Sequence, residues 1–233
     1  MFAAFDIETS GLFDANLPPD VTCCAVRLEA SATPHVRLFH SNWAKAMTAS
    51  DLGDLVEYLY ALHLAGVTIV TFNGAGFDFK VLWAHLCGVP AMCTMLREMV
   101  HGHTDLMFEF ASRHGYYTSM QSLSLGTGLP GKTGAGSDAI GMWCGDDANA
   151  ASRAAVLAYC ANDVRCLAEL YRHILAHGAA TRVTKAGNHR VCKFSDPPDT
   201  VAAAAARWRA AEVDMTWMAD PPQILDAVAW AGV

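Results

Sequence analysis

The stretch Phe2-Ala3-Ala4-Phe5-Asp6-Ile7-Glu8-Thr9 decides how this chain is read. Its apolar run over Phe2–Ile7 is short enough for a buried strand. Strand side chains alternate between faces, so Asp6 and Glu8 project together from the strand's end. Taken alone, such a pair also suits a solvated strand end. Val21–Glu29 and His35–Ser41, joined by a Ser-Ala-Thr-Pro turn, read as two more strands. Three strands in succession predict an antiparallel meander.

Beyond the meander, Leu52, Leu55, Val56, Leu59 and Leu62 recur at helical spacing. They predict a helix over Asp51–Leu64, capped by Ser50 and ended by Gly66. The β-branched run Val67–Phe72 then reads as a buried strand, and its place after a helix predicts parallel pairing. Asn73-Gly74-Ala75-Gly76 makes a turn into a helix over Phe77–Leu86, which stops at Gly88-Val89-Pro90. From 91 to 145 the pattern supports helices at Asp105–Arg113 and Ser119–Leu125, the second closed by Gly126. A glycine-rich loop runs from Gly126 to Gly136. Ala148–Cys160 and Asp163–His177 read as two helices or one bent element.

After Gly178 the composition shifts. Arg182, Lys185, Arg190 and Lys193 fall in a hairpin turning at Ala186-Gly187-Asn188. An alanine-rich helix over Thr200–Glu212, with Asp199 as its cap, and a short helix after Pro221-Pro222 complete the chain. The pattern predicts an α/β main unit over 1–178 and a small α/β extension over 179–233. Trp208, Trp217 and Trp230 predict that the extension packs on the main unit.

Composition narrows the function. Of 233 residues, 53% are hydrophobic and 17% charged, against ~25% charged in typical domains, so a sizeable core is expected rather than disorder. No apolar run approaches the ~18 residues of a membrane span, and with no basic flank or cleavage site ahead of the first strand no secretory signal is expected. The eight cysteines contain no Cys-x-x-Cys pair, which predicts free thiols in a reducing cytoplasm. A net charge of -7 argues against gripping duplex nucleic acid by bulk positive charge. It leaves room for a nucleic-acid enzyme whose acids hold cations.

Two further motifs accompany Asp6 and Glu8. Asn73-Gly-Ala-Gly-Phe77-Asp78 follows the Val67–Phe72 strand and sets Asp78 in the first turn of a helix, where the dipole alone already favours an acid. Tyr159-Cys-Ala-Asn-Asp163 puts Tyr159 and Asp163 on one helical face, among the apolar Val156, Leu157, Val164 and Leu167. An acid on such a face needs a partner. Acids at the carboxyl ends of strands stand where α/β sheets place their sites. Four carboxylates in one cleft repel one another unless cations join them. Hard oxygen donors point to Mg²⁺ or Mn²⁺, and two such ions ~3.5–4 Å apart form a device for displacement at phosphorus.

Together, Phe-Asp-Ile-Glu-Thr, Asn-Gly-x-x-Phe-Asp and Tyr-x-x-x-Asp resemble the three exonuclease motifs of the DEDD family, in its tyrosine-containing branch, over residues 2–177. The resemblance implies a ribonuclease H-like fold: a mixed five-stranded sheet, first three strands antiparallel, flanked by helices. It implies metal-dependent removal of nucleoside 5′-monophosphates from the 3′ end of single-stranded nucleic acid, with two Mg²⁺ or Mn²⁺. Asp6 would bridge both metals, Glu8 and Asp163 would complete one site, and Asp78 would hold the second. Tyr159 would orient the attacking water. Thr9, Asn73 and Phe77 would contact the terminal nucleotide.

DNA is favoured over RNA because no RNA-binding module is attached. Without a polymerase domain, action as a stand-alone enzyme or in trans with a polymerase or other replication or repair protein is expected. The alternative is a non-catalytic module binding nucleic acid or a partner on the same fold.

Other signals compete. Gly126-Thr-Gly-Leu-Pro-Gly131-Lys132-Thr133 fits the P-loop pattern, but a helix rather than a strand is expected before it, so Lys132 is read as a contact to a substrate phosphate. His101-Gly-His103-Thr-Asp105 lacks further nitrogen or sulfur partners and reads as surface rather than metal site. Tyr116-Tyr117 reads as packing.

Overall fold

The computed structural model describes residues 1–13, 17–30, 33–41, 44–132, 134, 136–195, 197–210 and 224–233. Strand β1, Phe2–Thr9, is the central element. It pairs antiparallel with β2, Val21–Glu29, which pairs antiparallel with β3, His35–Phe39. On its other edge β1 pairs parallel with β4, Thr68–Thr71, which pairs parallel with β5, Thr104–Asp105. The order is β3-β2-β1-β4-β5, a mixed five-stranded sheet whose first three strands are antiparallel.

Side-chain alternation along β1 builds two cores. Phe2 and Ala4 face helix α7, Ala150–His177, while Ala3, Phe5 and Ile7 face α1, Ala49–Leu64, and α2, Asp78–Leu86. Phe5 is fully buried against Phe79, ring centroids 5.5 Å apart. β4 pairs with β1 only from Phe2 to Ala4, so the carboxyl end of β1 continues past its parallel neighbour. Period-two alternation then carries Asp6 and Glu8 onto the α7 side.

Several boundaries depart from the sequence reading for identifiable reasons. α1 begins two residues early because Thr48, not Ser50, caps it: the Thr48 hydroxyl accepts from Asp51 N–H and the Asp51 carboxylate from Thr48 N–H. Pro90 stops nothing; it occupies the first turn of α3, Pro90–Gly102, a helix the pattern did not reveal. β5, two residues long, is also new. Asp105 caps α4, Leu106–His114, and Ser119 caps α5, Met120–Thr127.

Gly126 lies inside α5, and Gly128, at φ 77°, closes the helix. A Cβ on Gly126 would stand 2.3 Å from the Thr181 carbonyl oxygen, so close packing requires that glycine. α6, Gly136–Cys144, begins where the loop was expected to end. α7 is one 28-residue helix, capped by Asn149 and closed by left-handed Gly178.

The hairpin is present as β6, Ala179–Val183, and β7, His189–Lys193. α8 spans Val201–Ala210, and the expected end of that helix, Trp217 and Pro221-Pro222 lie outside the described residues. Thr200 rather than Asp199 takes the capping role, accepting from Ala203 N–H. Asp199 instead pairs with Arg113 and Arg207. Buried Glu109 on α4 joins the same two arginines at 2.6 Å each and so ties α8 to the main unit. The last described segment forms two single-turn 3₁₀ helices, Leu225–Ala227 and Ala229–Ala231. Among the described residues no helix is long and apolar enough to cross a membrane. All eight cysteines are free thiols.

Candidate active site

Asp6 and Glu8 leave the end of β1 toward α7, and their carboxylates lie within 4.8 Å of each other and of the Cys160 thiol. Asp78 reaches the same strand from the first turn of α2: its Oδ1 accepts from Ile7 N–H at 3.0 Å. Asp163, one turn along α7 from Tyr159, is buried, and its Oδ2 accepts from Lys132 Nζ at 2.5 Å. The Lys132 ammonium lies 5.7 Å from the centre of the Tyr159 ring. Asp6, Glu8, Asn73, Phe77, Asp78, Lys132 and Tyr159 all line one cleft of about 280 Å³. A second cavity of about 330 Å³ shares Asp6, Asn73 and Lys132 with it and is walled by Asp163 and by Thr118–Gln121.

Crowding sets the electrostatics. Burial, then Asp78 and Glu8, push the Asp6 carboxyl well above its ordinary value. Burial and Asp163 push Glu8 up to about 8. Burial raises Asp78 to about 7 even though it accepts backbone N–H bonds. Burial also raises Asp163, opposed by Lys132. Burial disfavours the Lys132 ammonium, but Asp6 and Asp163 outweigh it and hold that group charged. Burial, with Asp163 and Glu8 nearby, keeps the Tyr159 phenol protonated.

One lysine does not balance four acids, and Asp163 Oδ1 is buried without a hydrogen-bond partner. The Cys160 thiol, hydrogen-bonded to Cys23 and buried, is held well above its usual value, so it stays protonated and offers no thiolate. The usable donors are carboxylate oxygens, which fit a hard divalent cation.

The turn carrying Asp78 is tightly braced. Asn73 adopts φ 71°, and a Cβ on Gly74 would stand 2.5 Å from the Thr71 side chain. Asp105, buried at the end of β5, accepts from Asn73 N–H (2.9 Å) and Ala75 N–H (3.0 Å), and from Met107 and Phe108 N–H at the start of α4. The sequence reading set Asp105 beside two histidines and assigned it no role; an acid just before a helix is the signal that marks it as a cap. The Trp230 indole donates to the Ala75 carbonyl at 3.0 Å, so the C-terminal segment buttresses this turn too.

Lys132 is fixed in the same manner: the Gln121 side chain accepts from its backbone N–H at 2.7 Å, and Gly131 leaves room for Gln121 where a Cβ would stand 2.5 Å away. The P-loop-like glycines therefore serve packing, and α5 rather than a strand precedes them. Thr133 lies outside the described residues.

Thr9 does not join the cleft wall, and its hydroxyl donates to Gly11. The two histidines are not surface residues. His103 is fully buried, with Nδ1 against the Met99 and Val100 carbonyls, and half-buried His101 contacts the Ala231 carbonyl.

A family model of the RNase H superfamily, RNase_H_2, matches residues 3–175. Among solved structures, a family B DNA polymerase from the hyperthermophilic archaeon Pyrobaculum calidifontis matches with a TM-score of 0.53 and 19% identity, over 75% of this chain and 24% of the polymerase chain. The chain thus spans about a quarter of that polymerase's length, and the likeness is one of fold. Comparison with curated proteins gives no match.

Proposed function

The chain belongs to the RNase H superfamily, and from that premise we propose that it is a metal-dependent 3′→5′ exonuclease of the DEDD type, tyrosine branch, acting on single-stranded nucleic acid. The observation that supports this reading is the gathering of Asp6, Glu8 and Asp78 in one cleft, with Asp163 in the wall of the adjoining cavity that shares Asp6 and Lys132, carboxyl groups displaced upward and Asp163 Oδ1 unpartnered. Asp6, Glu8 and Asp163 would hold one divalent cation, and Asp6 with Asp78 a second. Bound Mg²⁺ or Mn²⁺ supplies acidified water and positive charge at the phosphate.

The protein's own groups do the rest. The Tyr159 hydroxyl, kept protonated by its surroundings, positions a water facing the scissile phosphate. The Lys132 ammonium, held in place by Asp163 and the Gln121-braced backbone, attracts the phosphate's charge. Phe77 offers a ring at the cleft wall on which a terminal base stacks, and Asn73 stands beside it. On this reading residues 1–178 form the nuclease unit and 179–233 an extension to it. DNA is the preferred strand, and a polymerase or repair protein is a partner in trans.

A 5′-labelled single strand of DNA or RNA, incubated with Mg²⁺, Mn²⁺ or chelator, tests the proposal. A descending ladder that needs metal supports it. Retained strand binding with no cleavage under any condition favours the non-catalytic module instead.

A further inference from the structure

From Leu170 to Ser195 the chain has no acidic residue and five lysines and arginines, in a protein whose net charge is -7. One of the five, Arg172, pairs with Glu29. Among the described residues, none of the other four, Arg182, Lys185, Arg190 and Lys193, forms an ion pair, whereas arginines 27, 113, 165 and 207 all do. The hairpin register sets Arg182 directly opposite Arg190. Like charges directly opposite across a ladder destabilise it.

The Arg182 guanidinium is nevertheless held in place, 4.3 Å from the centre of the Tyr116 ring, and its Nε is buried without a hydrogen-bond partner. Two arginines at facing positions of one ladder, one guanidinium held on an aromatic ring and the other side chain exposed, suit a doubly contacted phosphate.

The position of this pair relates it to the cleft. α5 carries both: the Ser122 hydroxyl donates to the Val183 carbonyl in the hairpin at 2.6 Å, while neighbouring Gln121 fixes Lys132 in the active site. Tyr116 under Arg182 is two residues from Thr118, which lines the 330 Å³ cavity beside Asp6 and Asp163. Between them the Tyr117 side chain is 44% exposed.

We propose that Arg182 and Arg190 form a backbone-phosphate site that holds the nucleic-acid strand upstream of the end seated in the carboxylate cleft. The strand runs from the cleft along the Thr118–Gln121 wall and over Tyr117 to the hairpin. This inference rests on the nucleic-acid reading of the cleft. It gives the acidic protein its hold on a long strand, which the cleft's own single lysine does not supply.

Arg190→Glu is the discriminating variant. It turns the like-charged pair into an opposite-charged one, so the hairpin is expected to keep or gain thermal stability while the phosphate site is lost. Binding is read by fluorescence anisotropy in chelator with 5′-fluorescein oligodeoxythymidine of about 20 nucleotides, long enough to extend past the cleft. The affinity should fall about tenfold, and the slope of log affinity against log salt should shrink by roughly 1.4, two contacts at ~0.7 each. Hydrolysis of a labelled deoxythymidine dinucleotide, which fills the cleft alone, should match wild type.

Unchanged affinity and salt slope for the long strand would overturn the proposal. So would equally tight, Arg190-dependent binding of polyglutamate, which would make the occupant an acidic peptide. If wild type leaves the dinucleotide intact but binds the long strand through Arg190, the hairpin site stands and the exonuclease reading fails.

Discussion

Replacing Glu8 by glutamine should stabilise the metal-free protein at alkaline pH, although it removes a proposed catalytic acid. Glu8 is 8% exposed, and its carboxyl group rises from 4.5 to about 8 through burial and Asp163. A carboxyl that holds its proton more tightly when folded contributes stability that is complete below the unfolded pKa and is lost as pH rises through the folded one. The loss runs at about 1.4 kcal/mol per pH unit between 4.5 and about 8. Between pH 5.5 and 8 that amounts to roughly 3 kcal/mol, or on the order of 6–12 °C in Tm for a chain of this size.

Glutamine mimics the protonated acid and escapes this loss. In chelator the variant and wild type should therefore melt together near pH 4, below the unfolded pKa, and diverge progressively toward pH 8, the variant higher. Saturating Mg²⁺ should reverse the order, because the ion stabilises only the protein with its full set of carboxylates. Scanning calorimetry across this range decides the matter. A variant-minus-wild-type difference that stays flat with pH would show that Glu8 is not held among like charges, and the electrostatic account of the cleft would fail.

Three further outcomes are expected. Tyr159→Phe should leave the fold unchanged and lower the hydrolysis rate on the order of 10²-fold, measured on a labelled strand; wild-type rates would remove the hydroxyl from the mechanism. Asp105→Ala strips acceptors from four backbone N–H groups and should cost about 2–4 kcal/mol in urea unfolding, with a change below about 1 kcal/mol contradicting its bracing role. Gly126→Ala drives a Cβ against the Thr181 backbone and should destabilise by about 1–3 kcal/mol; a neutral result would mean that α5 and the hairpin are not in close contact.

The alternation in Phe2–Thr9 was enough to place Asp6 and Glu8 on one side of a central strand, because period-two geometry follows from the backbone alone. The parallel pairing of β4 was legible for a similar reason, since a helix between two strands leaves little choice of direction. What escaped depended on distant partners. Val89-Pro90 looks like a stop in one dimension, yet Pro90 at a first helical turn lacks nothing the helix needs, so α3 was hidden. β5 is two residues long and exists only through its pairing with Val70 and Thr71. The close approach of Lys132 to Asp163 depends on Gln121 and on the missing side chain at Gly131, contacts that local spacing does not encode. The role of Asp105 was written beside a helix start but obscured by the histidines before it.

The central claim is that Asp6, Glu8, Asp78 and Asp163 together cage divalent metal, and titration of Mn²⁺ followed by electron paramagnetic resonance tests it most directly. Wild type should take up Mn²⁺ from solution, and Asp6→Asn, still folded by circular dichroism, should not. Equal uptake by both proteins, or by neither, would contradict the account.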